Sequence, residues 1–155
     1  MKLRIVALGA RLPAWIVAGY GEYARRLPRE LALELVELKP EPRNRGKTTA
    51  QILAAEAARI GEATRGHHLV ALDERGESWT SGELGAKLAD WRDRGLAVAF
   101  VIGSADGLDP GFKRNADAVM ALSALTLPHG LARVLLAEQL YRAASMLSGH
   151  PYHRE

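Results

Sequence analysis

Cysteine is missing from all 155 residues. Its absence removes disulfides, thiolate nucleophiles, zinc ribbons and iron–sulfur clusters from consideration, and nothing implies an oxidising compartment. Long apolar runs are missing too. The apolar stretches are short and broken by charges, far below the roughly 18 residues of a membrane-spanning helix. The N-terminal Met1-Lys2-Leu3-Arg4-Ile5-Val6 alternates like a strand and lacks the apolar core of a signal peptide, so the chain reads as cytoplasmic. Charge of one sign is also lacking. Lys and Arg number 21 against 18 Asp and Glu, and the net +3 alone names no partner. There is no internal repeat, low-complexity tract or long linker. At this length about two-thirds of the unfolded chain's surface can be buried without a disulfide or metal staple, and residues 1–155 read as a single domain.

The basic residues cluster more than their number suggests. Arg25, Arg26 and Arg29 lie together, followed by Lys39, Arg43, Arg45 and Lys47. A polyanion would suit such a face, and so would plain solvation. The stretch Lys39–Lys47 holds two prolines and four basic residues. It is the most loop-like part of the chain and is expected to be mobile without a ligand.

Strand signals fall at Leu3–Leu8, Leu31–Leu38, His68–Leu72, Ala97–Ile102 and Ala118–Leu122, rich in Val, Leu and Ile. The third and fourth approach continuous apolar runs, as in strands covered on both faces. Helical patterns lie between them. Ile16, Tyr20, Tyr23 and Leu27 share one helical face after Pro13, which suits a first turn. Thr48-Thr49-Ala50-Gln51 and Thr80-Ser81-Gly82-Glu83 each fit a capping box, in which the Thr oxygen takes the N3 amide proton and Gln51 or Glu83 reaches back. Leu84, Leu88 and Trp91 mark a buried face, with Gly95 suited to the helix end. The last helix, about Leu131 to Leu147, is apolar around much of its circumference. Its second apolar side belongs either to the monomer core or to a subunit interface. Strands alternating with helices predict an α/β fold with a mostly parallel sheet flanked by helices.

Ligands of open α/β sheets sit beyond the carboxyl ends of the strands. The segments there read Leu72-Asp73-Glu74-Arg75-Gly76, Gly103-Ser104-Ala105-Asp106-Gly107-Leu108 and Leu122-Ser123-Ala124-Leu125-Thr126-Leu127-Pro128-His129. Glycine lets backbone approach a ligand closely, and small and apolar residues with free amides suit an adenine-type ring. The same segments also suit ordinary strand-to-helix turns. Arg45-Gly46-Lys47-Thr48 resembles the end of a phosphate-binding P-loop, but that motif needs glycine where Glu41 stands. No G-x-G-x-x-G or G-x-S-x-G is present. His67, His68, His129, His150 and His153 have no metal-ligand spacing, and no metal is expected. The ending His150-Pro151-Tyr152-His153-Arg154-Glu155 packs an aromatic, two imidazoles and a guanidinium into six residues. Such groups stack on bases, pair with phosphate and move protons. A frayed terminus is the alternative.

The Leu122–His129 run, the helix carrying Arg133, Glu138, Gln139, Tyr141 and Arg142, and the ending Pro151-Tyr152-His153-Arg154-Glu155 resemble the ribosomal RNA large subunit methyltransferase H family, of the SPOUT class. The resemblance covers the whole chain. It implies a C-terminal trefoil knot, which general topology rules would never suggest, S-adenosylmethionine as cofactor, and a homodimer. It further implies N3-methylation of a pseudouridine in helix 69 of 23S rRNA, on the assembled ribosome. Carried over residue by residue, the cofactor contacts are Leu72, Gly103, Leu122, Ser123, Ala124, Leu125, Thr126 and Leu127. Tyr152, His153 and Arg154 become the candidates for acting on RNA, with His153 or water as proton acceptor. One departure stands out. The family usually reads Gly-Gly-Pro-Glu-Gly where this chain reads Gly103-Ser104-Ala105-Asp106-Gly107, so Ser104 must adopt the angles glycine allowed or the turn must shift. A ribosome- or RNA-binding α/β module without activity, and a small-molecule-binding regulator, share many of these features. Binding of S-adenosylmethionine and methyl transfer to ribosomes separate them.

Overall fold

The computed structural model describes residues 1–9, 11–43 and 46–154. Ala10, Arg45 with its part of the P-loop-like match, and Glu155 at the end of the tail lie outside the described residues. In chain order the elements are β1 (Leu3–Leu8), α1 (Ala14–Ala24), a 3-10 turn (Arg29–Leu31), β2 (Leu33–Leu38), α2 (Thr49–Ala63), β3 (His68–Ser78), α3 (Ser81–Asp93), β4 (Val98–Ile102), α4 (Pro110–Asn115), β5 (Ala118–Ala121), α5 (His129–Ser148) and a closing 3-10 turn (Pro151–Arg154). All strand pairs are parallel, in the order β2-β1-β4-β3-β5. The α/β architecture read from the alternation is therefore the one observed.

The period of two along each strand divides the core. Leu3, Ile5 and Ala7 of β1, with Val98 and Phe100 of β4, face one side, where Leu84, Leu88 and Trp91 of α3 and Leu136 and Leu140 of α5 meet them. Val6, Leu8 and Val101 face the other side, against Ile60 of α2 and Leu108. Every residue of β4 is buried, as its unbroken apolar run requires in a strand covered twice.

Local signals set the helix starts. Both capping boxes form, with the Thr48 and Thr80 oxygens accepting from the Gln51 and Glu83 amides at 3.1 Å each. Asp109 caps α4 in the same way, with Pro110 opening it. Pro13 sits one residue before α1, and Leu27, read as part of that helical face, is buried just beyond its end.

Four strand boundaries differ from the sequence reading, two of them by one residue: β4 begins at Val98 and β5 ends at Ala121. Leu31 closes a 3-10 turn set up by Pro28, so β2 begins at Leu33. Strand β3 continues to Ser78, with a break: Leu72 and Glu77 both stand opposite Met120, and Asp73–Gly76 form an excursion between them. A Cβ on Gly76 would lie 2.7 Å from the Met120 carbonyl carbon. Only glycine lets the excursion return against the β5 backbone.

Helix α5 lies between α1 and α3 on one face of the sheet. A Cβ on Gly130 would meet Ile16 Cδ1 at 2.9 Å, and one on Gly85 would meet Met146 Sδ at 2.9 Å. Much of the second apolar side of α5 is thus covered within the chain. What remains outside is Leu135, with Trp15 and Val17 of α1 at 62% and 60% exposure. The loop expected to be mobile is tied down where it is described. Lys47 bonds Glu41 at 2.6 Å, and Arg43 reaches across to Ser104 and Asp106.

Candidate functional site

Strands β3 and β4 are neighbours, yet the helices that follow them leave on opposite faces. Helix α3 joins the face of α5, whereas α4, through Phe112, joins the face of α2. This is a topological switch point, where a crevice opens beyond the carboxyl ends of the strands. A cleft of about 360 Å³ occupies that position. Its walls come from the three segments picked out in the sequence, with Leu72, Gly103, Leu122, Ser123, Leu125, Thr126 and Leu127 all lining it. Ala124 is exposed and does not line it. Nor do Tyr152, His153 and Arg154.

Side-chain bonds stitch the walls together. Thr126 Oγ1 donates to Glu74 at 2.7 Å, which joins the Leu122–Pro128 loop to the β3 excursion. Lys113 Nζ of α4 donates to Asp73 at 2.9 Å, and the Arg75 amide donates to the same carboxylate at 2.8 Å. Burial pushes the Asp73 carboxyl up, but these two bonds and the Lys113 charge outweigh it and hold it below its usual value.

The turn Gly103–Gly107 settles the question raised by Ser104. The left-handed angle falls on Gly107, at φ +83°, and Ser104 needs none. The Gly107 amide donates to the Ser104 carbonyl at 2.9 Å. A Cβ on Gly103 would stand 2.5 Å from the Gly107 oxygen. Glycine at 103 is therefore demanded by the turn's own backbone, so a large residue there would break the turn rather than merely fill the cleft.

The tail is not a frayed end. Its 3-10 turn folds back on α5, where the Tyr152 hydroxyl donates to Glu138 at 3.0 Å. The Tyr152 ring lies 4.5 Å from that of Tyr141, and the Arg142 guanidinium sits 4.9 Å over it. Arg142 also bonds Glu138 at 2.7 Å. Burial, then the Glu138 carboxylate, drives the Tyr152 phenol far above its usual value, so it stays protonated and serves as a donor. His153 is partly buried, with Nδ1 turned inward.

Glu56 escaped the sequence reading, and Arg133 entered it only as part of the resemblance, with no role. Glu56 is 2% exposed and takes hydrogen bonds from Ser104, Arg43 and the Glu41 amide. Its signal was a carboxylate within the apolar stripe Ile52, Glu56, Ile60. Arg133, 2% exposed, pairs with Glu37 at 2.9 Å beside the partly buried Tyr20, whose phenol burial pushes up to about 12. Among the described residues no cluster of three or more His, Asp and Glu could hold a metal ion, and no helix is long and apolar enough to cross a membrane.

The donor set fits S-adenosylmethionine. Leu72, Ile102, Leu108, Leu122 and Leu127 offer apolar walls to a flat ring, and the rim carries both carboxylates and the cations Arg75 and Lys113, as suits a ligand with charges of both signs. The family profile described as "Predicted SPOUT methyltransferase" matches residues 1–153. A probable methyltransferase from Bordetella pertussis shares the fold, with a TM-score of 0.60 over 92% of this chain and 96% of that one, at 18% identity. Curated relatives are much nearer in sequence. The protein named ribosomal RNA large subunit methyltransferase H from Nitrosospira multiformis is 55% identical, and its namesake from Burkholderia multivorans 53%, each over 99% of both chains. The chain belongs to the ribosomal RNA large subunit methyltransferase H family of SPOUT methyltransferases.

Proposed function

We propose that the protein acts as one SPOUT domain, knotted at its C-terminal end, that transfers a methyl group from S-adenosylmethionine to N3 of a pseudouridine in helix 69 of 23S rRNA. It does so in the cytoplasm, on the assembled ribosome. The observation that carries the reading is the switch-point cleft, lined by the Leu122–Leu127 loop in a chain 55% identical to a protein named for large-subunit rRNA methylation.

S-adenosylmethionine supplies an activated methyl group, so no covalent enzyme intermediate is required. The chain's own contribution is mainly placement. Leu72, Gly103, Leu122, Ser123, Leu125, Thr126 and Leu127 hold the cofactor, with Ala124 carried along at the loop's outer side. Arg154 pairs with the RNA backbone by charge, and Tyr152, packed on Tyr141 and bonded to Glu138, holds the tail in place to meet the flipped base. His153 or a water molecule accepts the N3 proton.

The tail does not line the cleft of its own chain, and a homodimer brings a second copy's tail to it. Trp15, Val17 and Leu135 supply exposed apolar surface on the paired helices α1 and α5 for such an isologous contact. A dimer also doubles the basic surface offered to RNA.

The test is methyl transfer with radiolabelled S-adenosylmethionine and ribosomes that lack the modification. Incorporation of one methyl group per ribosome is expected. Ribosomes that remain unlabelled while the cofactor binds would leave the small-molecule-binding regulator as the better account, and absence of cofactor binding the RNA-binding module.

A further inference from the structure

The turn beside the cleft is fastened to a part of the chain far from it in sequence. Ser104 is 8% exposed, and its hydroxyl uses both of its capacities. It donates to Glu56 Oε1 at 2.8 Å and accepts from Arg43 Nη2 at 2.9 Å. Glu56 Oε2 accepts from Arg43 Nη1 at 3.0 Å and from the Glu41 amide at 2.9 Å. Arg43 Nη2 also bonds Asp106 at 3.0 Å. Carboxylate, guanidinium and hydroxyl thus close a ring that joins α2, the start of the basic loop and the Gly103–Gly107 turn.

We propose that Glu56, Ser104 and Arg43 are positioning residues that fix the cofactor turn and tie it to the loop before α2, so that the two segments order as one unit. The inference rests on the reading of the cleft as a cofactor site. It follows from the chemistry of the ring. A buried carboxylate is tolerable only when its lone pairs are met and its charge is balanced, and Glu56 obtains both from residues of the two segments. Loss of Ser104 leaves a buried carboxylate oxygen without a donor, and loss of Arg43 leaves the charge unbalanced, so neither segment can move alone at low cost. Glycine at position 104 would give the turn freedom and no anchor. Serine gives the anchor and, with the left-handed angle placed on Gly107, no backbone strain.

Amide exchange and calorimetry together test this. In the free wild-type protein, residues 39–43 and 103–107 are expected to exchange with matched protection, and Ser104→Ala to speed both. Adding S-adenosylmethionine to the wild type should slow exchange at 39–43 as well as at the turn, and Ser104→Ala should bind it roughly tenfold more weakly. Ser104→Thr, which keeps the hydroxyl, should restore both properties. Arg43→Met, at a half-exposed site, provides a second break if the alanine variant folds poorly. Unchanged exchange at 39–43 in Ser104→Ala and Arg43→Met, with wild-type affinity, would overturn the proposal. A wild type that does not bind S-adenosylmethionine would overturn the reading of the cleft instead, while exchange in the free protein would still decide whether the ring is a tether.

Discussion

Asp73 sits where burial and hydrogen bonding pull its proton affinity in opposite directions, and the bonds win. Its folded value lies below its unfolded one, so its ionised form stabilises the fold. That contribution is complete above the ordinary Asp value of about 3.9 and is lost as pH falls through the depressed folded value. The melting temperature of Asp73→Asn should therefore lie below that of wild type by a constant amount above about pH 5, with the gap closing below about pH 4. A gap that persists to the acid end would show that Asp73 acts through packing alone. Single residues differ in how far sequence reveals them. Leu72 and Leu122 could be placed at the cleft because they end strand signals. Ser104 could be flagged as a departure, but not as an anchor, because its partners Arg43 and Glu56 lie 61 and 48 residues away. Gly103 looked like room for a ligand and proves to be clearance for the Gly107 carbonyl.

The tail carries the lesson for whole elements. Read as sequence, Tyr152 to Glu155 lie past the last helix and should add little to the core. In the structure Tyr152 packs on Tyr141 and bonds Glu138. Deleting everything after Pro151 should lower the melting temperature by about 3–8 °C, and Tyr152→Phe, which loses only the hydroxyl's bond, by about 2–4 °C. Both should retain cofactor affinity, since the tail is assigned to the RNA rather than to the cofactor. An unchanged melting temperature would return the tail to the status of a loose end. Elements governed by local chemistry were legible: the capping boxes at Thr48 and Thr80, the buried run Val98–Ile102, and the stripe Leu84, Leu88, Trp91. Those governed by distant chain were not. The extension of β3 through Asp73–Ser78 is polar and interrupted, and only β5 makes a strand of its end. Helix α4 did carry a signal, Asp109 before Pro110, in a segment otherwise too short to show a period.

At the scale of the molecule, alternation of strands and helices was enough to read a parallel α/β sheet, but neither the strand order nor the switch point between β3 and β4. The knot came only by resemblance, since threading leaves no period in a sequence. The proposed dimer rests on surface that the fold leaves uncovered. Sedimentation equilibrium at micromolar protein should give twice the 16.8 kDa chain mass, and Trp15→Glu combined with Leu135→Glu should give a folded monomer with methyl transfer lost. Full activity in that monomer would show that one chain suffices. The central claim concerns which atom is methylated. Ribosomes lacking the modification, treated with the protein and S-adenosylmethionine, should yield on nuclease digestion and mass spectrometry a single new methylated nucleoside, N3-methylpseudouridine, within the helix 69 fragment. A methyl group on another nucleoside, or in another part of the RNA, would contradict the account.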